Sequence, residues 1–533
     1  MRPALDGHAG IPQEARLLFR GLSLLDDVSV EGLIQSSGRI LAHGLPAKPS
    51  TWTKPLTKDK KINRLSCVVI SLQQSPNPRP KFYEKVGETL DYAVASVELI
   101  FTNIFGGQQQ LSRFETTHFR DFIWRALFAK TLPFEDFDVV TKANFRVASI
   151  PWTVMQTCAL ATKKLGAAIY PRLNTSDFDV MVAETPYPGT VSPNTKLVVR
   201  YHDAIPLLMP HTISDKAYHQ ASHYNALRKN VESGAYFACV SDATRRDLIS
   251  IFPQAESRAV TIHNMISHHY FDEDSSPKRV REIIRTRQNG NVEFKRLNTA
   301  EISAKSPPSR ASEPNVANEV ANEVADEVAD EVADEVDDNL IVRNNEKDSS
   351  KSLDYLLIVS TIEPRKNHLT LLSAWEQMRT EGFPELKLVV VGMLGWDHKP
   401  IVKKFRPWLE REELFMLEDV PAPELRLLYK HARATICPSF GEGFDFSGVE
   451  AMRCGGAVAA SDIPVHRDVY GAAAEYFTPY SAPDIAAAIA RVIDPAAPLR
   501  RTELVRDGTV VSAQYMPEKI LPQWQNFLNG LKS

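Results

Sequence analysis

The chain has only five cysteines in 533 residues: Cys67, Cys158, Cys239, Cys437 and Cys454. They are scattered, with no C-x-x-C pair and no zinc-ligand spacing. That pattern excludes a disulfide framework and a structural zinc site, and the thiols read as buried side chains in a reducing compartment. Long apolar runs are also missing. Nowhere do about 18 apolar residues stand together, so no segment has the length to span a bilayer. Met1–Gly10 lacks the apolar core of a secretory signal, and the expected location is cytoplasmic. Net charge is nearly absent as well: 62 Lys and Arg face 66 Asp and Glu, a formal -4, which argues against a nucleic-acid partner. What is present is 43% hydrophobic and 24% charged, a globular rather than fibrous or disordered composition. At this length two or more domains are expected, because single cores stop growing near about 250–300 residues.

One stretch breaks the globular texture, from about Glu293 to Ser350. Inside it, Val316–Glu335 is five tandem copies of Val-Ala-(Asn/Asp)-Glu. A four-residue period advances about 400° on an ideal helix, so the valines drift by about 40° per repeat and build no lasting apolar face. The stretch reads as a linker or insertion between folded regions, with partner binding as the sharper alternative. Its acidity also hides the character of the rest. Glu313 to Asp338 holds eleven acidic residues and no basic ones, leaving 55 acidic against 62 basic elsewhere, a net +7.

On either side, strands and helices alternate. Lys196–Leu207, Gly234–Phe252, Asp354–Ile362, Leu386–Gly395 and Ala432–Phe440 each hold a short run rich in Val, Ile and Leu. Helix-period stretches such as His368–Met378 and Gly448–Gly456 are set among them. Strands that are apolar throughout suit parallel sheets covered on both faces. The fold class expected is α/β, two doubly wound Rossmann-like domains at 1–272 and 353–511, joined by a 273–352 linker that carries the 293–350 insertion. The amphipathic tail 512–533, with Ile520, Trp524, Phe527 and Leu528 at helical spacing, is expected to cross back to the first domain. Ligand should bind at the carboxyl ends of strands, between the domains.

Two motifs there carry chemistry. In SFGEGFDFSGVEAMRCGG (Ser439–Gly456) a strand leads into a glycine-bearing loop, and Ser447–Gly448 opens a helix whose free N–H groups suit an anion. Glu442 sits in the loop and Glu450 in the first helical turn, so both can face one ligand and hydrogen-bond sugar hydroxyls. Taken alone, Glu450 is equally read as capping and solvating its helix. In VSTIEPRKNH (Val359–His368), Arg365 and Lys366 are adjacent cations at a strand-to-helix junction. Such a pair meets the charge that develops on a departing nucleoside diphosphate.

STIEPRKNH followed about 80 residues later by EGFDFSGVEAMRCGG and ASDIPVHRDVYG resembles the carboxyl-terminal half of GT-B glycosyltransferases of family four. These are retaining and nucleotide-sugar-dependent, and the likeness is greatest to bacterial mannosyltransferase-like members. GHAGIPQEARLLFRGL, VVRYHDAIPLLMP and CVSDATRRDLI extend the resemblance into the amino-terminal half, leaving out about Ala42–Leu132 and the insertion.

The resemblance implies that Arg365 and Lys366 grip the donor diphosphate and that Glu442 contacts the transferred sugar. It implies that the backbone of Phe444, Asp445 and Phe446 lines sugar and phosphate, with Ser447 beside them, and that Glu450 binds the ribose. The base falls near Asp419 and Val420. His202 lies by donor and acceptor, and Gly10, closing the Gly7–Gly10 loop, is the close-approach position. Asp445 and Phe446 stand where many members have Gly-Leu, which leaves the sugar open. No cofactor and no metal are expected, because no D-x-D pair stands at a strand end in the cleft.

The expected activity is retaining transfer of a hexose to a glycan or polyprenyl-linked acceptor in bacterial surface polysaccharide synthesis. GDP-mannose is the first-choice donor and UDP-glucose the second. A non-catalytic nucleotide-sugar-binding or scaffolding protein and a GT-B epimerase are the alternatives. The positive body suits a diphosphate donor and an anionic acceptor. The basic run Lys54–Arg64 reads first as a solvated loop, with peripheral contact at the inner face of the membrane as the sharper alternative. His219 and His223 have the spacing of a helical metal pair, yet Gln220 stands where a metalloprotease helix has glutamate, so a solvated face is expected. Only six residues precede Gly7, so the strand that should lead into a first glycine loop is expected to be missing, or the domain to open irregularly.

Overall fold

The computed structural model describes residues 10–47, 56–73, 92, 94–97, 99–103, 105–164, 166–288 and 352–532. The acidic repeat, the loop residues Gly7–Ala9 and Lys54 of the basic run lie outside them. Two α/β bodies face each other across a cleft, the GT-B architecture that the resemblance implies.

In the amino-terminal body the strands are short and fall into three sheets. Strands β1 (Gly32–Ile34), β2 (Gln109–Gln110), β3 (Ser112–Phe114), β4 (Phe145–Val147) and β5 (Leu173–Asn174) come first. They are followed by β6 (Val180–Ala183), β7 (Lys196–Tyr201), β8 (Tyr236–Cys239) and β9 (Ala259–Thr261). The orders are β1-β4-β3, β2-β5 and an all-parallel β6-β7-β8-β9. The single doubly wound sheet expected here is therefore divided. The chain enters on the helix Gly10–Leu22, which no described strand precedes.

The carboxyl-terminal body is the regular one. Strands β10 (Tyr355–Val359), β11 (Lys387–Val391), β12 (Leu414–Leu417), β13 (Ala434–Cys437), β14 (Val458–Ser461) and β15 (Ala474–Phe477) form one parallel sheet. Their order is β12-β11-β10-β13-β14-β15, and their side chains are buried on both faces. Winding reverses at β10, so a crevice opens outside the carboxyl ends of β10 and β13, where such sheets bind ligands. Chain from before the insertion also belongs here: Tyr270, Val280 and Ile283 pack into the core of β10–β12, and Arg287 pairs with Glu424.

The last helix, Pro517–Lys532, returns to the first body. Ile520, Trp524 and Leu528 pack there with Leu18, Leu22 and Val198, while Phe527 is only half-buried. Among the cysteines, Cys67 is exposed and the other four are buried, so the expectation of five buried thiols fails at that position.

Candidate active site

β10 ends at Val359, and the chain turns through Pro364–Lys366 into the helix His368–Glu381. Asn367 makes the junction in a left-handed conformation (φ 58°), and its amide donates to the carbonyls of Pro438 and Pro479. The turn after β10 is thereby tied to the loops after β13 and β15. That tie aims Arg365 and Lys366 at the β13 loop.

Glu442 receives both cations. Arg365 donates to its Oε2 at 2.8 Å and to the Gly441 carbonyl at 2.7 Å, and Lys366 reaches Oε1 at 2.5 Å. On its other side Arg365 pairs with Glu363 Oε1 at 2.8 Å. Burial alone would raise the Glu442 carboxyl, but Arg365 and Lys366 beside it hold it below the usual range. Glu363, 2% exposed, goes the other way, because burial outweighs its pairing with Arg365. The cluster thus sets two cations against two carboxylates. The four charges are held in place by one another.

The loop continues through Gly443, whose place is set by close approach: a Cβ there would lie 1.8 Å from the carbonyl oxygen of His202 in the opposite body. Thr244 bridges the same two backbones, donating to the carbonyls of His202 and Gly443. His202 follows β7, and its Nε2 lies 3.2 Å from Glu184 Oε2. Asp445 takes φ 62° and caps the helix Phe446–Arg453, accepting from Ser447 N and Oγ with one oxygen and from His466 Nε2 with the other. His466 Nδ1 faces the Ser461 carbonyl at 2.9 Å, which fixes the ring from its other side. Burial would raise the Asp445 carboxyl, but hydrogen bonding to His466 and the charge of Lys366 hold it far below the usual range. Its side chain is fully occupied, which leaves backbone to face the cleft.

His202, Arg365, Lys366, Glu442, Gly10, Asp419, Val420, Phe444, Asp445, Phe446 and Ser447 all line one cavity of about 780 Å³. Gly10 opens its helix rather than closing a loop, and a Cβ on it would meet the Phe446 ring at 3.3 Å. The Phe444 ring is buried in the core, so it is the backbone of that residue that reaches the cavity.

Glu450 differs from its expectation. It lies beyond the first turn of its helix, is 4% exposed and stands behind the cavity. Its carboxylate accepts from Gln13 Nε2 at 2.8 Å and from the Tyr429 hydroxyl at 3.0 Å. Burial raises the carboxyl to about 7 despite those donors. Glu442 lines the cavity and Glu450 does not.

Sequence reasoning left Gln13, Glu184, Glu363 and His466 without roles. Gln13, Glu363 and His466 carried a signal, since all three stand inside the quoted motifs. The expected solvated face holds at His219, which is exposed, and fails at His223, which is half-buried against the Tyr201 ring and pushed down to about 4 by burial. Among the described residues no group of three or more His, Cys, Asp or Glu is placed to hold a metal ion.

Residues 341–503 match the family described as glycosyl transferases group 1. The serotype-specific mannosyltransferase WbdA of Escherichia coli is 36% identical over 135 residues, 25% of this chain and 16% of that protein. The O-antigen chain mannosyltransferase B of the same organism is 33% identical over 117 residues, 22% of this chain and 31% of that one. The chain therefore spans less than a third of the length of these relatives. Among solved structures, sucrose-phosphate synthase from Thermosynechococcus elongatus aligns with a TM-score of 0.47 at 15% identity, over 73% of this chain and 84% of that one. The carboxyl-terminal body is thus where the chain is similar to the glycosyl transferases group 1 family, and parts of the chain are similar in sequence to bacterial O-antigen mannosyltransferases.

Proposed function

We propose that the chain is a retaining glycosyltransferase that moves a hexose, mannose first, from a nucleoside diphosphate sugar to a hydroxyl of a glycan or polyprenyl-linked glycan. The observation that carries this reading is the convergence of Arg365 and Lys366 on Glu442, beside the capped helix Phe446–Arg453, at the reversal point of the parallel sheet. Mannose is preferred to glucose because the matched relatives are named mannosyltransferases; GDP-mannose is the donor proposed and UDP-glucose the second.

In this reading the diphosphate lies against Arg365 and Lys366, with the sugar toward Glu442 and the backbone of Phe444–Phe446. The acceptor oxygen bonds to the anomeric carbon as the bond to the phosphate oxygen breaks on the same face. The acceptor proton passes to the leaving phosphate, whose charge the two cations stabilise. No second carboxyl is needed as nucleophile, unlike a retaining glycosidase, and positioning with electrostatic stabilisation supplies most of the rate. The proposal includes no metal ion, so turnover should be the same with and without a chelator. Lys58, Lys60, Lys61 and Arg64, exposed on the helix Lys58–Gln73, suit contact with anionic head groups around a lipid-linked acceptor.

Calorimetric titration with GDP-, UDP- and dTDP-sugars tests the donor site, with GDP-mannose expected to bind tightest. Binding of none of them would remove the donor-site assignment. NMR of the product's anomeric proton then checks retention.

A further inference from the structure

β6 and β7 of the amino-terminal body are parallel neighbours, with Ala183 beside Val199. Glu184 is the next residue after β6 and His202 the next after β7, so both stand at the carboxyl ends of adjoining strands. Continuing that register puts Glu184 beside Arg200, and side-chain alternation puts Arg200 and His202 on one face. A carboxylate at this position has two nitrogen-bearing neighbours. Arg200 is already engaged, giving Nε and Nη2 to Glu14 Oε1 at 3.0 and 2.9 Å and its other N–H groups to Asn264 and the carbonyls of Ala238 and Ile262. Glu184 takes the His202 ring, with Oε2 at 3.2 Å from Nε2.

The two side chains open on different spaces. His202 lines the cleft cavity, whereas Glu184 is no part of that lining and borders a separate cavity of about 510 Å³. Both are nearly closed off, with side chains 10% and 12% exposed. Glu184 can therefore act on a ligand in the cleft only through the imidazole. The backbone of His202 is held separately, its carbonyl packed against Gly443 and bonded by the Thr244 hydroxyl. Two other carboxyls stand near the ring: Glu14 is turned to Arg200, and Asp203 accepts from the Ile205 N–H at 3.0 Å. Among the described residues no hydrogen bond reaches His202 Nδ1, and that atom is not sealed in the core.

We propose that Glu184 is a positioning residue for His202, fixing both the orientation and the tautomer of its ring. A carboxylate only accepts, so the hydrogen it meets sits on Nε2, and in the neutral ring Nδ1 then keeps its lone pair. That atom is presented to the cleft as an acceptor, and it takes the hydrogen of one hydroxyl on the sugar bound there. A hydroxyl suits this position; an ether or a fluorine in its place has no hydrogen to offer. The inference rests on the reading of the cleft as a sugar-transfer site. It gives that site a selecting atom whose chemistry is set from outside the cleft, by a group that touches no substrate.

The test reads the imidazole directly, by 15N NMR of the full chain at about pH 9, where an ordinary imidazole is neutral. The unchanged chain should carry the His202 hydrogen on Nε2. Glu184→Gln keeps the shape but can donate its amide N–H to Nε2, which moves hydrogen to Nδ1. That variant should lower kcat/KM for sugar transfer by about tenfold or more, as for one lost hydrogen bond and its unpaired partner. GDP, which carries no sugar, should still bind within about twofold, a result that a general distortion of the cleft would not leave. Added to His202→Ala, Glu184→Gln should cause no further loss, because its whole effect passes through the ring. Hydrogen on Nδ1 in the unchanged chain would overturn the proposal whatever the variants do. So would unchanged transfer by Glu184→Gln, an equal loss of GDP affinity, or a further loss in the His202→Ala background. The spectrum is recorded without substrate, so it judges the role of Glu184, while transfer by the unchanged chain judges the sugar-transfer reading by itself.

Discussion

Gln13, on the first helix of one body, donates to Glu450 in the core of the other at 2.8 Å. The contact closes the back of the cleft and holds a carboxyl that burial has raised to about 7. Since that group ordinarily titrates near 4.5, folding takes up a proton between the two values. The stabilisation is whole below 4.5 and is lost as pH rises through about 7. From pH 5 to pH 8 the chain should therefore lose about 2 to 3 kcal/mol that Glu450→Gln does not lose. Urea unfolding at the two pH values measures the difference; parallel losses would place the proton elsewhere.

Lys366→Ala and Glu442→Ala each remove one partner of the 2.5 Å pair in the cleft. Each should lower kcat/KM for sugar transfer by about 100-fold or more, as for loss of one preorganised stabilising group. Nucleotide release from GDP-mannose with an acceptor glycan is the assay. Unchanged turnover in both variants is incompatible with the donor site as drawn.

Gly443→Ala puts a Cβ into the carbonyl of His202, backbone against backbone, so the two bodies must separate at the cleft. A cost of about 1 to 3 kcal/mol and a fall in transfer of about tenfold or more are expected. Gly530→Ala is the control. A Cβ there meets nothing within 4 Å, and the position is helical, so Tm should hold or rise.

Trp524 is fully buried where the last helix returns to the first body, with the Arg200 guanidinium 5.3 Å from the centre of its ring. Trp524→Ala should cost about 3 to 5 kcal/mol. Phe527→Ala, at a half-buried position of the same helix, should cost far less. Comparable losses in Tm would mean that the helix is not anchored through Trp524.

The strands from Lys196 onward were legible because a run such as Tyr355–Val359, apolar at every position, suits only a strand covered on both faces. That Arg365, Lys366 and Glu442 come together was legible because their placement depends on the local turns after β10 and β13. Glu450 was not. Its neighbour Gln13 is 437 residues away, and no local pattern shows that a cleft will close over a glutamate. The burial of Arg200 was not legible either. It interrupts an apolar strand, yet it is fully buried because Glu14 and the Ile262 carbonyl meet its charge from elsewhere in the fold.

Cysteine scarcity and the absence of long apolar runs limited what the chain could be, and periodicity with two motifs placed an α/β cleft and its cations. Those features are local, so the sequence by itself determined them. Tertiary structure decided which carboxylates are paired with cations and which are closed off behind the cleft. Burial and pairing set each of these, and both depend on groups brought together from distant parts of the chain.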